Sequence, residues 1–300
     1  MEVITVGRRA PGLSQIPSAK PDEGTHPASA GPVTLQAAWA RHGDEVLAAQ
    51  ALRHRVFADE MGARLRPLPG TPSGHDSDLY DRHCEHLIVR TQPADGSAGA
   101  VVGTYRVLTP AAAKLVGGLY TDQAFDLVRL SRLRPRMVEL GRACVDPAWR
   151  HGSVILMLWG ELARFMVRNG LDLMIGCASV PMRDGGHAAA SLWQRLRTSH
   201  LAPIQHLVTP RLPLPVDELR RELAVELPPL VKGYLHCGAR VLGAPAWDPD
   251  FGTADLPMML DVRDLPAHCR RRFLGDPAEA SRARAPTART PAQAVVPAAS

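Results

Sequence analysis

The spacing of apolar and polar positions separates a periodic middle of the chain from two aperiodic ends. Val46, Leu47, Ala51, Leu52, Val56 and Phe57 recur at helical intervals and predict a helix over 46–61. The stretch 67–81, rich in Pro, Gly, Ser and Asp, reads as loop. Residues 86–91 and 100–108 are strand-like, and the intervening QPADGSAG predicts an antiparallel hairpin. Residues 115–130 are mixed, with a helical portion near Phe125. Next come a strand over 137–145, a strongly apolar helix over 153–168 stopped by Asn169-Gly170, and a strand over 171–179. That order predicts parallel neighbours joined by a right-handed crossover. Residues 187–230 read as helical, interrupted by Pro, and 241–261 return to strand-like segments. The class is α+β with a mixed sheet.

The ends read differently. Pro11, Pro17, Pro21, Pro27 and Pro32 punctuate residues 1–32, and Pro277, Pro286, Pro291 and Pro297 punctuate 276–300. Neither segment carries enough apolar surface to offset the entropy of ordering it. Both are expected to be disordered extensions around one folded unit over 33–275. A chain with 45% hydrophobic and 22% charged residues suits an ordinary soluble domain. A net charge of +5 and a pI of 9.2 favour acidic partners: an acidic protein, an anionic lipid surface or phosphate. Nucleic acid is not expected, because aromatics are only 5% and are not interleaved with the basic residues. The five cysteines form no CxxC pair and read as reduced thiols of a cytoplasmic protein. No signal-peptide pattern and no apolar run of about 18 residues is visible, so no membrane span is expected.

The chemistry concentrates in MVELGRACVDPAWRHGSVILMLW, residues 137–159. Glu139 is an acid inside an apolar strand. Residues three apart on a plain strand face opposite ways, which would separate Glu139 from Arg142. Gly141 lies between them and suits a bulge, which resets the alternation and puts both side chains on one face. A bulge also frees backbone N–H groups that can hold a carbonyl oxygen as it gains charge. The plainer alternative is a structural Glu139–Arg142 ion pair. The loop Arg150-His151-Gly152-Ser153 feeds a helix N-terminus, a ready place for an anionic or thioester ligand. His83-Cys84-Glu85-His86 resembles a metal cluster, but no second cluster at suitable spacing completes it, and no metal is expected. Cys144 and Cys177 read as core thiols, and Asp250 as a turn residue.

The strings LRHRVFADEMG, EHLIVR, VVGTYRVL, MVELGRACVDPAWR and LMIGCASVP, in this order, resemble the GNAT acyltransferase superfamily. More narrowly the chain resembles the ornithine-lipid acyltransferases, also labelled hemolysin-like. The Lys-Gly-Tyr-Leu string at 232–235 and the Asp-Pro-Asp-Phe-x-Thr-x-Asp string at 248–255 are typical of that subgroup. The resemblance runs from about Leu52 to Phe273. It implies a GNAT-like, mostly antiparallel central sheet flanked by helices. It also implies transfer of a 3-hydroxyacyl group from acyl carrier protein to the α-amine of L-ornithine, giving lyso-ornithine lipid, with no metal or redox cofactor. One departure supports the carrier. The loop over 150–154 has a single Gly where a pyrophosphate cradle wants two, which points away from coenzyme A.

The resemblance also distributes roles. Glu139 is the expected base or amine anchor, and backbone N–H groups from Arg142 to Cys144 the oxyanion donors. Arg53, Arg106 and Arg142 are candidates for the acceptor's carboxylate, and Asp78 and Asp81 for its side-chain ammonium. Lys232 and Tyr234 are candidates to touch phosphopantetheine or the amine. Arg150, Gly152 and Ser153 would hold the donor arm, and part of the 153–168 helix would line an acyl channel. Arg220, Arg221 and Arg270 to Arg272 are candidates to attract the carrier or the inner membrane surface. Two rival functions are an acyl-homoserine-lactone synthase using S-adenosylmethionine and a non-catalytic acyl- or membrane-binding module. The two subgroup strings argue against the first, and an intact Glu139 and Arg142 against the second.

Overall fold

The computed structural model describes residues 33–94 and 99–275, with the backbone of Ile4–Thr5. Its frame is a nine-stranded sheet. The main strands are β1 (Thr34–Trp39), β2 (Glu85–Gln92), β3 (Val101–Leu108), β4 (Met137–Val145), β5 (Leu173–Pro181), β6 (Ala246–Asp248) and β7 (Thr253–Asp261). Their spatial order is β1-β2-β3-β4-β5-β7-β6, with Ile4–Thr5 beside β1 and Arg240–Val241 beside β7. Every pairing is antiparallel except β4 with β5. The expected hairpin and the expected parallel crossover are both present. The extensions expected over 1–32 and 276–300 otherwise lie outside the described residues, as do 95–98 of the hairpin turn.

Helices cover the sheet: α1 (Gly43–His54), α2 (Pro110–Val116), α3 (Ser153–Arg168), α4 (His187–Ser199), α5 (Pro229–His236) and α6 (Ala267–Leu274). α3 buries Val154, Met157, Leu158, Leu162 and Met166, spaced at helical intervals, against Leu87, Val89, Val107 and Val138 of the sheet. Each such side chain contributes about 1.5–3 kcal/mol by leaving water. Asn169 caps the helix and Gly170 takes a φ of 63°, so the stop signal in the sequence holds.

The topology opens a cleft. β4 and β5 are nine residues each, yet share only the register pairs Met137–Leu173, Val138–Met174 and Glu139–Ile175. Beyond Glu139 the two strands part. A Cβ on Gly176 would come within 2.4 Å of the Leu140 carbonyl oxygen, so glycine permits the close approach of β5 to β4 just before they part.

Several sequence expectations need correction. The helix over 46–61 is α1 continued by a π-helical turn, Arg55–Glu60, a form that often marks functional sites. Phe125 is not helical: Phe125–Asp126 pairs with Thr209–Pro210 as a two-residue strand. Within 187–230 the long helix is confined to α4, because Pro203, Pro210, Pro213 and Pro215 remove backbone donors from the segment after Ser199. β1 has no counterpart among the elements expected from the pattern.

Candidate active site

β4 carries the centre of the site. Thr104 of β3 faces Cys144 and Arg106 faces Gly141, so Arg142 and Ala143 together oppose Tyr105 alone. This is the expected bulge, displaced by one residue: Arg142, not Gly141, adopts the left-handed φ of 50°. A non-glycine residue there costs about 1–3 kcal/mol, which its surroundings must supply. They do so through ion pairs from Arg142 to Asp76 at 3.2 Å and Asp78 at 3.3 Å. The guanidinium also lies 4.8 Å from the Phe251 ring centre and 5.1 Å from that of Tyr120.

Glu139 is 4% exposed. Its carboxylate accepts the Tyr120 N–H at 2.5 Å, the Thr121 N–H at 2.6 Å and the Thr121 hydroxyl. Burial pushes its pKa above the ordinary carboxylate value, while these donors and the Arg106 charge pull it back. Among the described residues Glu139 makes no ion pair with Arg142, so this backbone cradle replaces the plainer structural pair.

The loop 67–81 folds three aspartates against three arginines. Arg53, fully buried, meets Asp76 at 2.8 Å and Asp81 at 2.7 Å. Arg106 meets Asp78 at 2.6 Å and Asp81 at 3.2 Å. Arg142 completes the set at 3.2 and 3.3 Å. The charges balance, as burial requires. This corrects two expectations. Arg53 is sealed from the cleft and acts through Asp76 and Asp81. Asp78 and Asp81 are each engaged by two arginines and hold no free charge for an ammonium.

A cavity of about 520 Å³ fills the gap between β4 and β5. Glu139, Arg106, Arg142 and the backbone of Gly141 to Cys144 line it, together with Val56 and Phe57 from the π turn. Ile155 and Trp159 present the cavity face of α3, and Tyr234 the face of α5. A smaller apolar space of about 80 Å³ shares Leu140, Trp159 and Tyr234 with it and runs towards Leu162, Met258 and Phe273. The Tyr105 and Tyr234 hydroxyls hydrogen-bond where the two spaces meet, and Trp159 Nε1 donates to Tyr105 at 3.4 Å. A Cβ on Gly233 would fall 2.2 Å from the Trp159 ring, so glycine lets α5 close on α3.

The remaining expected residues divide. Arg150 and Gly152 line the cavity, and Gly152 takes a φ of 101° to start α3. The Arg150 guanidinium is held in a two-pronged pair by Glu60 and donates to the Val145 carbonyl at 3.0 Å. Ser153 lies outside the lining with a buried, unpartnered Oγ. The Cys144 thiol is pushed up to about 12 by burial and stays neutral. Lys232 is solvent-exposed and does not reach the cavity.

Sequence reasoning missed four residues. Tyr120 and Thr121 act through backbone N–H groups, which leave little trace in a sequence. Asp248 and Asp255 line the cavity opposite β4 and, among the described residues, make no ion pair. Thr253 donates to Asp255 at 3.0 Å, and burial with the nearby Asp248 charge pushes the Asp255 pKa up to about 6. Both acids stand in the Asp-Pro-Asp-Phe-x-Thr-x-Asp string, which was the available signal. The cleft thus holds a buried base-like carboxylate, a backbone bulge, a loosely paired arginine, an apolar slot and two acids that make no ion pair among the described residues.

Residues 52–160 match the family model described as Acetyltransferase (GNAT) domain. An L-ornithine N(alpha)-acyltransferase of Agrobacterium fabrum (strain C58) is 34% identical over 248 residues, covering 77% of this chain and 82% of the relative. One of Rhizobium meliloti (strain 1021) is 33% identical over 239 residues, covering 76% and 80%. Among solved structures, a CoA-dependent acyl-homoserine lactone synthase shows a TM-score of 0.46 at 17% identity over 79% of this chain and 84% of that one. An N-acyl amino acid synthase from uncultured soil microbes shows 0.45 at 12% identity over 77% and 94%.

Proposed function

The chain belongs to the L-ornithine N(alpha)-acyltransferase family and is an N-acyltransferase, and from that premise we propose how it acts. It joins a 3-hydroxyacyl group, delivered as a phosphopantetheine thioester on acyl carrier protein, to the α-amine of L-ornithine. The observation that carries this reading is the cleft between β4 and β5, where Glu139, the Arg142 bulge and the Asp248–Asp255 pair meet an apolar slot.

L-Ornithine carries two ammonium groups and one carboxylate. Asp248 and Asp255 receive the side-chain ammonium, since neither makes an ion pair among the described residues. Arg142 receives the carboxylate, because it faces the cavity and, unlike Arg53 and Arg106, has no aspartate closer than 3.2 Å. Glu139, with its pKa raised by burial, takes the proton from the α-ammonium. The freed amine nitrogen attacks the thioester carbon. Backbone N–H groups of the bulge, Arg142 to Cys144, stabilise the oxyanion as it forms. The C–S bond then breaks, and the carrier's thiolate leaves and takes up a proton. The acyl chain lies along Ile155, Trp159 and Leu162. The acidic carrier is drawn by the chain's net charge of +5. Among the described residues no helix is long and apolar enough to cross a membrane. The amphiphilic product is handed over at the membrane surface, with the exposed Arg271 and Arg272 of α6 facing anionic headgroups.

Expression in a host that makes no aminolipids tests the reading, with total lipids examined by mass spectrometry. A new 3-hydroxyacyl-ornithine is the expected result. A diffusible lactone, or no acylated amino acid at all, overturns it.

A further inference from the structure

Two His-Cys dipeptides, 236–237 and 268–269, lie 32 positions apart in the chain and meet in the fold. The first closes α5 and the second opens α6. The Nε2 atoms of His236 and His268 face each other at 2.7 Å, and their rings are 4.4 Å apart. The Sγ atoms of Cys237 and Cys269 are 3.7 Å apart. The ligand atoms of His236, His268 and Cys269 lie within 4.8 Å of one another. Both cysteines are buried and both histidines exposed, which leaves a path from solvent.

We propose that His236, Cys237, His268 and Cys269 form a structural site for a zinc-like divalent cation. Tetrahedral zinc with bonds of about 2.3 Å to sulfur places two sulfurs about 3.8 Å apart, close to the distance found here. With bonds of about 2.0 Å to nitrogen the two Nε2 atoms would stand about 3.3 Å apart, so the imidazoles need only part slightly. Two Nε2 atoms aimed at each other need something shared between them, either one proton or one cation. The Cys269 thiol within 4.8 Å of both nitrogens, with the Cys237 thiol 3.7 Å from it, favours the cation. On binding, each thiol gives its proton to solvent and each imidazole offers a neutral nitrogen, so the site carries no net charge. Two Cys and two His at a closed corner are the donor set of structural rather than catalytic zinc.

The site has a mechanical consequence. α5 carries Tyr234 and α6 carries Phe273, and both rings pack on Trp159 at 5.5 and 6.3 Å between ring centres. A cation joining the two helices would fix one wall of the apolar slot. The inference stands on the four ligands and not on the proposed reaction.

The test uses the full chain, purified under reducing conditions. Metal content by mass spectrometry should show zinc at about one per chain, the stoichiometry of a four-ligand site. Cobalt exchanged into the same protein should give the visible absorption of a tetrahedral ion with sulfur-to-cobalt charge transfer. His268→Ala, a surface change, and Cys237→Ser/Cys269→Ser should each lose the zinc and the cobalt spectrum, whereas Cys84→Ser should keep both. Chelation should speed amide exchange over 229–237 and 267–274. Absence of zinc in the reduced chain, zinc retained by the double variant, or a metal-free Cys237–Cys269 disulfide would each overturn the proposal.

Discussion

Asp255→Asn should give a more stable protein and a poorer enzyme. Asp255 is 7% exposed, accepts the Thr253 hydroxyl and has no ion-pair partner among the described residues. Its pKa stands at about 6 against an ordinary value of 3.8. At about 1.4 kcal/mol per pH unit, keeping this carboxylate charged at neutral pH costs the fold about 3 kcal/mol. The folded value is the raised one, so from about pH 4 to about pH 6 the native state binds more protons than the unfolded state. Stability therefore falls as pH rises through that window and is level above it. Asparagine has no charge to desolvate. The variant should gain about 1–3 kcal/mol at pH 7 and show little gain near pH 4, part of the effect being offset by its amide donors. Urea unfolding of both proteins between pH 4 and pH 7.5, at matched slopes, reads this directly. The same change should raise KM for ornithine more than it lowers kcat, because the ammonium loses its counter-charge. A variant less stable than the parent at pH 7, or a stability gap that does not change with pH, would show that Asp255 carries no such burial cost.

The same geometry sets other outcomes. Glu139→Gln should lower kcat by about 10²–10⁴ with a small change in KM, measured by single-turnover acyl transfer. Thr121→Val removes a donor that lowers the Glu139 pKa, so the rising limb of the pH–rate profile should move to higher pH; an unmoved limb would separate Glu139 from proton transfer. Arg53→Ala leaves Asp76 and Asp81 short of a buried partner and should destabilise the fold by about 3–5 kcal/mol by chemical denaturation, and Arg53→Lys should not rescue it fully. Ala163→Phe narrows the apolar slot and should shorten the accepted acyl chain, read from product masses; an unchanged chain-length profile would place the acyl group elsewhere.

Much of the frame was legible because local pattern and final burial agree. β2, β3, β4 and β5 are runs of branched and apolar residues in a sheet covered by helices, and α3 shows its buried stripe at helical spacing. Glu139 stood out as an acid in such a run, and the bulge came from the need to bring Glu139 and Arg142 to one face. β1 was not legible. Gln36, Ala37 and Ala38 blunt its alternation, and most of its residues are only half-buried. The partners of Glu139 were hidden because Tyr120 and Thr121 offer backbone N–H groups from a loop 18 and 19 residues away. The aspartates of 76–81 were visible, but not that three arginines from α1, β3 and β4 would consume them. Burial of these charges is offset by pairing, and which charges are buried together is decided by topology. The same holds for the two His-Cys dipeptides, which only the meeting of α5 and α6 joins.

The central claim is that this cleft makes an amide between a carrier-bound 3-hydroxyacyl group and the α-amine of ornithine. The direct measurement is an assay of the purified full chain with 3-hydroxyacyl-acyl carrier protein and L-ornithine, read by intact-carrier and tandem mass spectrometry. One carrier thiol should be freed for each 3-hydroxyacyl-ornithine, fragmenting as the α-amide, and both should be lost in Glu139→Gln. Acylation at the side-chain amine, turnover equally fast in Glu139→Gln, or no acyl-ornithine from the intact pair would contradict it.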